Sequence, residues 1–146
     1  MADKWAGELF KCGYNCAQSV FAARAAKFGI DTDTALKLSA PLGAGVGRMR
    51  EVCGAFAACA MLLGLKKASS EPSAERKKEI YELTQKLAEE FKRENGSIIC
   101  REILNLQKGA PTPPAPDDRT AEYYAKRPCL KVVESADAMA RRFLSQ

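Results

Sequence analysis

Apolar residues recur at helical spacing along most of this chain, and no segment alternates apolar and polar residues as a half-buried strand would. The 146 residues are enough for one hydrophobic core that needs neither disulfides nor metal to fold. We therefore predict an all-α fold, a single-domain bundle of about five to seven helices. The two clearest apolar stripes are Ile80, Leu83, Leu87 and Phe91, and Val133, Ala136, Ala140 and Phe143.

Two segments interrupt the helical pattern. Residues 43–48 carry alternate glycines, which cost too much free energy inside a helix, so they predict a Gly-rich loop. Residues 108–118 carry four prolines and predict an extended Pro-rich loop. Too little chain follows this second loop to build another core, so it is not a linker between domains.

The chain has six cysteines, no histidine and a net charge of +5. The lack of histidine excludes Ser–His and Cys–His catalysis and zinc sites with histidine ligands. Any metal must be held mainly by sulfur, which favours zinc, copper(I) or an iron–sulfur cluster. Basic and acidic residues are interleaved, so we expect no nucleic acid as a partner.

Four cysteines stand where the pattern predicts that a helix begins. The N-terminus of a helix presents unpaired N–H groups and a partial positive charge, which drive a thiol toward thiolate. No C-x-x-C pair occurs, so a shared sulfur site must be assembled from distant helices. We predict that these four residues are metal ligands or, without metal, redox-active thiols: Cys16, Cys53, Cys100 and Cys129.

The other two cysteines fit packing better. Cys12 lies four residues before Cys16 and could be a fifth or resolving thiol, but it also continues the apolar stripe of Trp5 and Leu9, so we expect it in the core. Cys59 falls on another side of its helix from Cys53, and we expect it to pack.

The Gly-rich loop allows two interpretations. Its glycines and Arg48 could cradle a phosphate, but no strand precedes the loop and no Lys–Ser/Thr pair follows, so neither nucleotide fingerprint is met and no nucleotide is expected. We favour a loop that passes close to Cys53 and donates amides to sulfur. Gly45, Gly47 and Gly54 are therefore the predicted cofactor-binding glycines.

The start of the sequence lacks a basic segment followed by an apolar run, so we see no signal peptide. The longest apolar stretch, residues 53–65, is too short and too glycine-broken to span a bilayer. We expect a cytoplasmic protein with no membrane partner, in a compartment where thiols are normally reduced.

Five segments together resemble the C_GCAxxG_C_C family of redox-active proteins, and they cover nearly the whole chain in the family's order. The resemblance implies one C_GCAxxG_C_C-type helical domain over residues 1–146, and its four cysteines carry over to the four named above. One position departs from the family's pattern, because Ala58 stands where a glycine is expected. The segments are residues 13–18, 43–49, 51–55 and 96–104, and Cys129.

The resemblance implies redox chemistry without fixing a reaction or deciding whether the protein is an enzyme. A similar domain in split-Soret cytochromes is associated with an iron–sulfur centre, but the haem-attachment motif C-x-x-C-H is absent here, so haem is not carried over. The expected partner is a redox protein or a small-molecule electron donor or acceptor, and a homo-oligomer stays open.

Three hypotheses follow, in order. In the first, the four cysteines hold an iron–sulfur cluster or another thiolate-bound metal for electron transfer or sensing. In the second, the protein is a metal-free thiol–disulfide protein in which Cys100 or Cys129 attacks and a neighbouring thiol resolves. In the third, it is a non-catalytic helical binding module with structural cysteines.

Overall fold

The computed structural model describes residues 5–146, and these residues form eight α-helices and no strand, so the prediction of an all-α fold is confirmed. The count exceeds the predicted five to seven because the short helix α7, which was not predicted, forms between the Pro-rich loop and α8. The helices are α1 (Ala6–Lys11), α2 (Cys16–Ala25), α3 (Thr32–Ser39), α4 (Gly54–Lys67), α5 (Ala74–Asn95), α6 (Cys100–Ile103), α7 (Ala121–Lys126) and α8 (Cys129–Leu144).

Helix α4 is the centre of the bundle. It is rich in alanine and leucine, and Ala55, Ala58 and Leu62 are fully buried. It packs against α2 on one side and against α8 and α5 on others. The small residues of α4 allow its neighbours to approach closely, and Ala58, at the position that departs from the family's pattern, lies inside an uninterrupted helix.

A buried ion pair ties the N-terminal helices to α8. The Arg24 guanidinium donates to the Asp137 carboxylate with an Nε–Oδ1 distance of 2.9 Å, and both side chains are almost fully buried. The same carboxylate accepts the backbone N–H of Ala6 at 2.9 Å. Because a buried charge is tolerated only when it is paired and hydrogen-bonded, this pair fixes how α1, α2 and α8 meet.

None of the helices formed by residues 5–146 is both long enough and apolar enough to cross a bilayer.

Candidate functional site

The four selected cysteines stand at helix starts, as predicted. Cys16, Cys100 and Cys129 are the first residues of α2, α6 and α8. Cys53 is the N-cap residue of α4, which begins at Gly54.

All four of these side chains line one cavity of about 120 Å³. They come from four separate parts of the chain and from four different helix starts. Cys12 and Cys59 are not among the residues that line this cavity. We call it the thiol cavity.

Cys53 and Cys100 are brought together by a short antiparallel backbone pairing. Val52 and Ile99 form an isolated bridge. The Cys53 N–H donates to the carbonyl of Ile98, and the Cys100 N–H donates to the carbonyl of Glu51, both at 2.7 Å. This pairing fixes the starts of α4 and α6 side by side, although the two cysteines are far apart in sequence.

Cys16 joins this pair through a close approach of α2 to α4. Asn15 caps α2 by accepting the Gln18 N–H at 2.9 Å, and the Gln18 side chain accepts the Asn15 N–H in return. A Cβ atom added to Gly54 would lie 2.7 Å from the Cys16 sulfur and 2.7 Å from the carbonyl oxygen of Leu42. The absence of a side chain at Gly54 is therefore what lets Cys16 reach the start of α4.

The Gly-rich loop is a left-handed turn. Residues 44–48 all have positive φ angles, including 54° at Ala44, 63° at Val46 and 63° at Arg48. Each residue with a side chain costs about 1–2 kcal/mol in this conformation, so the surroundings must hold it. Hydrogen bonds of the loop backbone do so, among them one of 2.7 Å from the Gly47 N–H to the carbonyl of Pro41.

The predicted cofactor-binding glycines occupy different places. Gly54 lines the thiol cavity, whereas Gly45 and Gly47 are not among its lining residues. A Cβ atom on Gly45 would lie 2.6 Å from the Glu51 backbone nitrogen, so glycine is needed where the loop backbone packs against this residue. A Cβ atom on Gly47 would meet only the end of the Met49 side chain, at 4.0 Å. The loop amide that reaches a sulfur belongs to Ala44, which hydrogen-bonds to Cys16.

The expectation that helix starts drive these thiols toward thiolate is wrong for three of them. Burial raises the pKa of Cys16 and of Cys129, and it raises the pKa of Cys53 to about 12. Backbone amides at the helix starts lower the pKa of Cys16 and Cys53, but they do so less than burial raises it. Neighbouring sulfurs raise the pKa further, because two thiolates in one cavity repel each other.

Cys129 has a hydroxyl neighbour that the sequence did not indicate. The Tyr123 side chain hydrogen-bonds to Cys129, which lowers the pKa of that thiol without offsetting its burial. Burial and the nearby sulfur raise the pKa of Tyr123 to about 12. Tyr123 therefore stays protonated and can donate to sulfur over the whole neutral range.

The expectation for Cys12 is wrong, and that for Cys59 is confirmed. Cys12 is exposed because α1 ends at Lys11, so the apolar stripe that begins at Trp5 and Leu9 does not continue. Cys59 is fully buried in the core, and its thiol donates to the carbonyl of Ala136 at 3.2 Å. Burial, followed by the charge of Asp137, raises the Cys59 pKa far above its ordinary value.

Basic side chains line the thiol cavity; the sequence pattern singled out Arg48 but not Arg50. Arg50 donates to the Cys100 sulfur at 3.7 Å. Asp117, from the Pro-rich loop, accepts from Arg127 at 2.8 Å and lies 3.1 Å from Arg48. The position of Arg48 and Arg50 just before Cys53 was the available signal, but nothing in the sequence links them to residue 117.

The four thiols that line the cavity supply the sulfur atoms that thiophilic metals prefer as ligands. Across residues 5–146, however, no three Cys, Asp or Glu side chains lie close enough together to hold a single metal ion.

A family model agrees with these observations. It is the model for "Putative redox-active protein (C_GCAxxG_C_C)", and it matches residues 14–143. The chain belongs to this family. The match includes all four cysteines of the thiol cavity and leaves out Cys12. Searches of curated proteins and of solved structures find no significant match.

Proposed function

We propose that Cys16, Cys53, Cys100 and Cys129 form one redox centre and hold an iron–sulfur cluster for electron transfer or sensing. The main observation behind the proposal is that cysteine side chains at the starts of four helices line one cavity. Cys59, in contrast, lies outside this cavity and donates its thiol to the carbonyl of Ala136 in the core. Membership of a redox-active family supports the same chemistry.

The cavity has room for a group larger than a single ion. One zinc ion needs its four sulfurs about 2.3 Å from a common point, and no three ligand side chains among the described residues are so placed. A cluster keeps its cysteine ligands apart and fills the space between them with iron and sulfide. The cavity of about 120 Å³ is several times larger than the ~10–15 Å³ that hold one water molecule.

The surroundings suit a negatively charged centre. The amides of Ala44 and Gly54 hydrogen-bond to the Cys16 sulfur. Arg50 donates to Cys100, and the Tyr123 side chain hydrogen-bonds to Cys129. Hydrogen bonds and positive charge of this kind stabilise ligating thiolates and set the reduction potential. When bound, the cluster would supply one-electron transfer, and the residues named here would hold and tune it.

The second candidate is a metal-free thiol–disulfide protein. It is favoured by the backbone pairing that sets Cys53 and Cys100 side by side. It is weakened by burial, because exchange requires a thiolate and the raised pKa values keep Cys16 and Cys53 protonated near neutral pH.

Anaerobic purification with iron, sulfide and zinc assays and a visible spectrum tests the two candidates. A coloured protein with stoichiometric iron and sulfide supports the cluster. Colourless protein that takes up no iron on reconstitution, and whose thiols pair reversibly, supports disulfide chemistry. Inert thiols without metal overturn both and leave a structural role.

A matched control separates the cavity from the other thiols. Each of C16S, C53S, C100S and C129S should lose iron and colour. The variant C12S should keep both, because Cys12 is exposed and lies outside the cavity. Loss of iron in C12S, or its retention in two of the cavity variants, would contradict the assignment of the ligands.

A further inference from the structure

Three guanidinium groups converge on one carboxylate oxygen at the mouth of the thiol cavity. The Asp117 Oδ2 atom lies 2.8 Å from Arg127 Nη2, 3.1 Å from Arg48 Nη2 and 3.9 Å from Arg50 Nη2. Arg48 belongs to the Gly-rich loop, Arg50 lies two residues after it and Arg127 directly follows α7, so the fold builds this cluster from distant segments.

The charges in this cluster do not balance. Three cations meet one anion, and Asp117 is the only acidic side chain among the described residues that line the thiol cavity. The neighbouring Arg119 adds a fourth cation, and its guanidinium donates to the backbone carbonyls of Phe10 and Tyr14, which carry no charge. The cluster therefore carries surplus positive charge at the wall of the cavity.

The arginines are better fixed than the carboxylate that they hold. The side chains of Arg48 and Arg50 are 13% and 9% exposed, whereas that of Asp117 is 41% exposed. Arg48 belongs to the left-handed turn, and its Nη1 atom also donates to the carbonyl of Pro113 at 2.7 Å. Asp117 lies in a segment without helix, between α6 and α7. An arginine fork held in this way recognises carboxylate or phosphate, and a side chain from a loop can leave it.

We propose that Arg48, Arg50 and Arg127 form a binding site for the oxyanion group of a small molecule, a carboxylate or a phosphate, and that Asp117 occupies it as an internal competitor. Arg50 contacts both this site and the Cys100 sulfur, so only its guanidinium group would separate a bound oxyanion from the Cys100 thiol. The proposal goes beyond the sulfur chemistry and does not depend on which metal, if any, the cavity holds.

Binding of inorganic phosphate tests the proposal, measured by calorimetry at constant ionic strength on wild type and on D117N. Removing the internal competitor should lower the Kd for phosphate about tenfold, because the fraction of molecules with an open site rises. The matched control is D118N, which removes the same charge one residue away, at an exposed position, and should bind phosphate as wild type does.

The double variant R127A/D117N should lose the gained affinity, and circular dichroism reports whether each variant is folded. Acetate, titrated in the same way, distinguishes a carboxylate site from a phosphate site. The proposal is overturned if D117N binds neither anion more tightly than wild type, or if D118N gains as much as D117N. It is also overturned if folded R127A/D117N binds as tightly as D117N. None of these results bears on the iron and sulfide assays, so this inference and the proposed function fail separately.

Discussion

Two glycines of the same helix should respond in opposite ways to the same substitution. Gly54 and Gly64 both belong to α4. A Cβ atom at Gly64 would meet nothing within 4 Å, whereas at Gly54 it would lie 2.7 Å from the Cys16 sulfur and 3.1 Å from the Ala17 Cβ. Real Cβ atoms do not tolerate a contact of 2.7 Å, so G54A must push α2 away from α4.

The size of the difference follows from these contacts. Alanine in place of an interior helical glycine stabilises a protein by about 0.5–1 kcal/mol when there is room for the methyl group, which is the expectation for G64A. Overpacking a tight contact costs about 1–3 kcal/mol, which is the expectation for G54A. The free energies of unfolding of the two variants should therefore differ by about 1.5–4 kcal/mol.

Urea unfolding followed by circular dichroism measures this difference. With a slope of about 1–3 kcal/mol per molar urea, the midpoint should fall by about 1 M for G54A and rise slightly for G64A. The alkylation rate of Cys16 in the native protein should change in G54A and not in G64A. If the two variants have the same midpoint and the same Cys16 reactivity, the close approach of α2 to Gly54 is not what positions this thiol.

Three further predictions concern the rest of the molecule. D137A should lower the free energy of unfolding by about 3–5 kcal/mol because it removes the buried carboxylate that pairs with Arg24. The double variant R24M/D137L should recover much of this loss in urea unfolding. An equal loss of stability in D137A and R24M/D137L would contradict the argument. Iodoacetamide followed by mass spectrometry should label exposed Cys12 at once and Cys59 only on unfolding, and early labelling of Cys59 would refute its burial. In metal-free protein the pKa of Cys53 is raised from 9.0 to about 12, so its contribution to stability is complete below about pH 9 and is lost between about pH 9 and 12. When the pH rises from about 7 to 10, the free energy of unfolding of C53A, measured in urea, should fall by about 1 kcal/mol less than that of wild type. An equal fall in both proteins would contradict the raised pKa of Cys53.

The positions of the site cysteines could be predicted because the signals that start a helix are local. Asn15 caps α2 directly before Cys16, and Pro128 precedes Cys129. The alternate glycines of residues 43–48 likewise predicted a loop, since Gly45 and Gly47 adopt positive φ angles. These features depend on a few neighbouring residues, and the sequence displays them directly.

The remaining features of the site depend on contacts between distant residues. Arg50 and Asp117 meet only because the Pro-rich loop folds over the mouth of the cavity. The direction of the pKa shifts could not be predicted either, because it depends on how deeply Cys16 and Cys53 are buried. Cys12 was placed in the core because the pattern does not show that α1 ends one residue earlier, at Lys11.

Burial and positive charge act on the cavity thiols in opposite directions. Burial raises the pKa of Cys16, Cys53 and Cys129, so these thiols stay protonated while they are alone. A cation inside the cavity would reverse this, because metal binding requires the thiolates and releases their protons. The external guanidinium of Arg50 contacts only Cys100 among the four. This balance is the physical reason for proposing a cluster, whose iron would supply positive charge between the sulfurs, ahead of metal-free exchange.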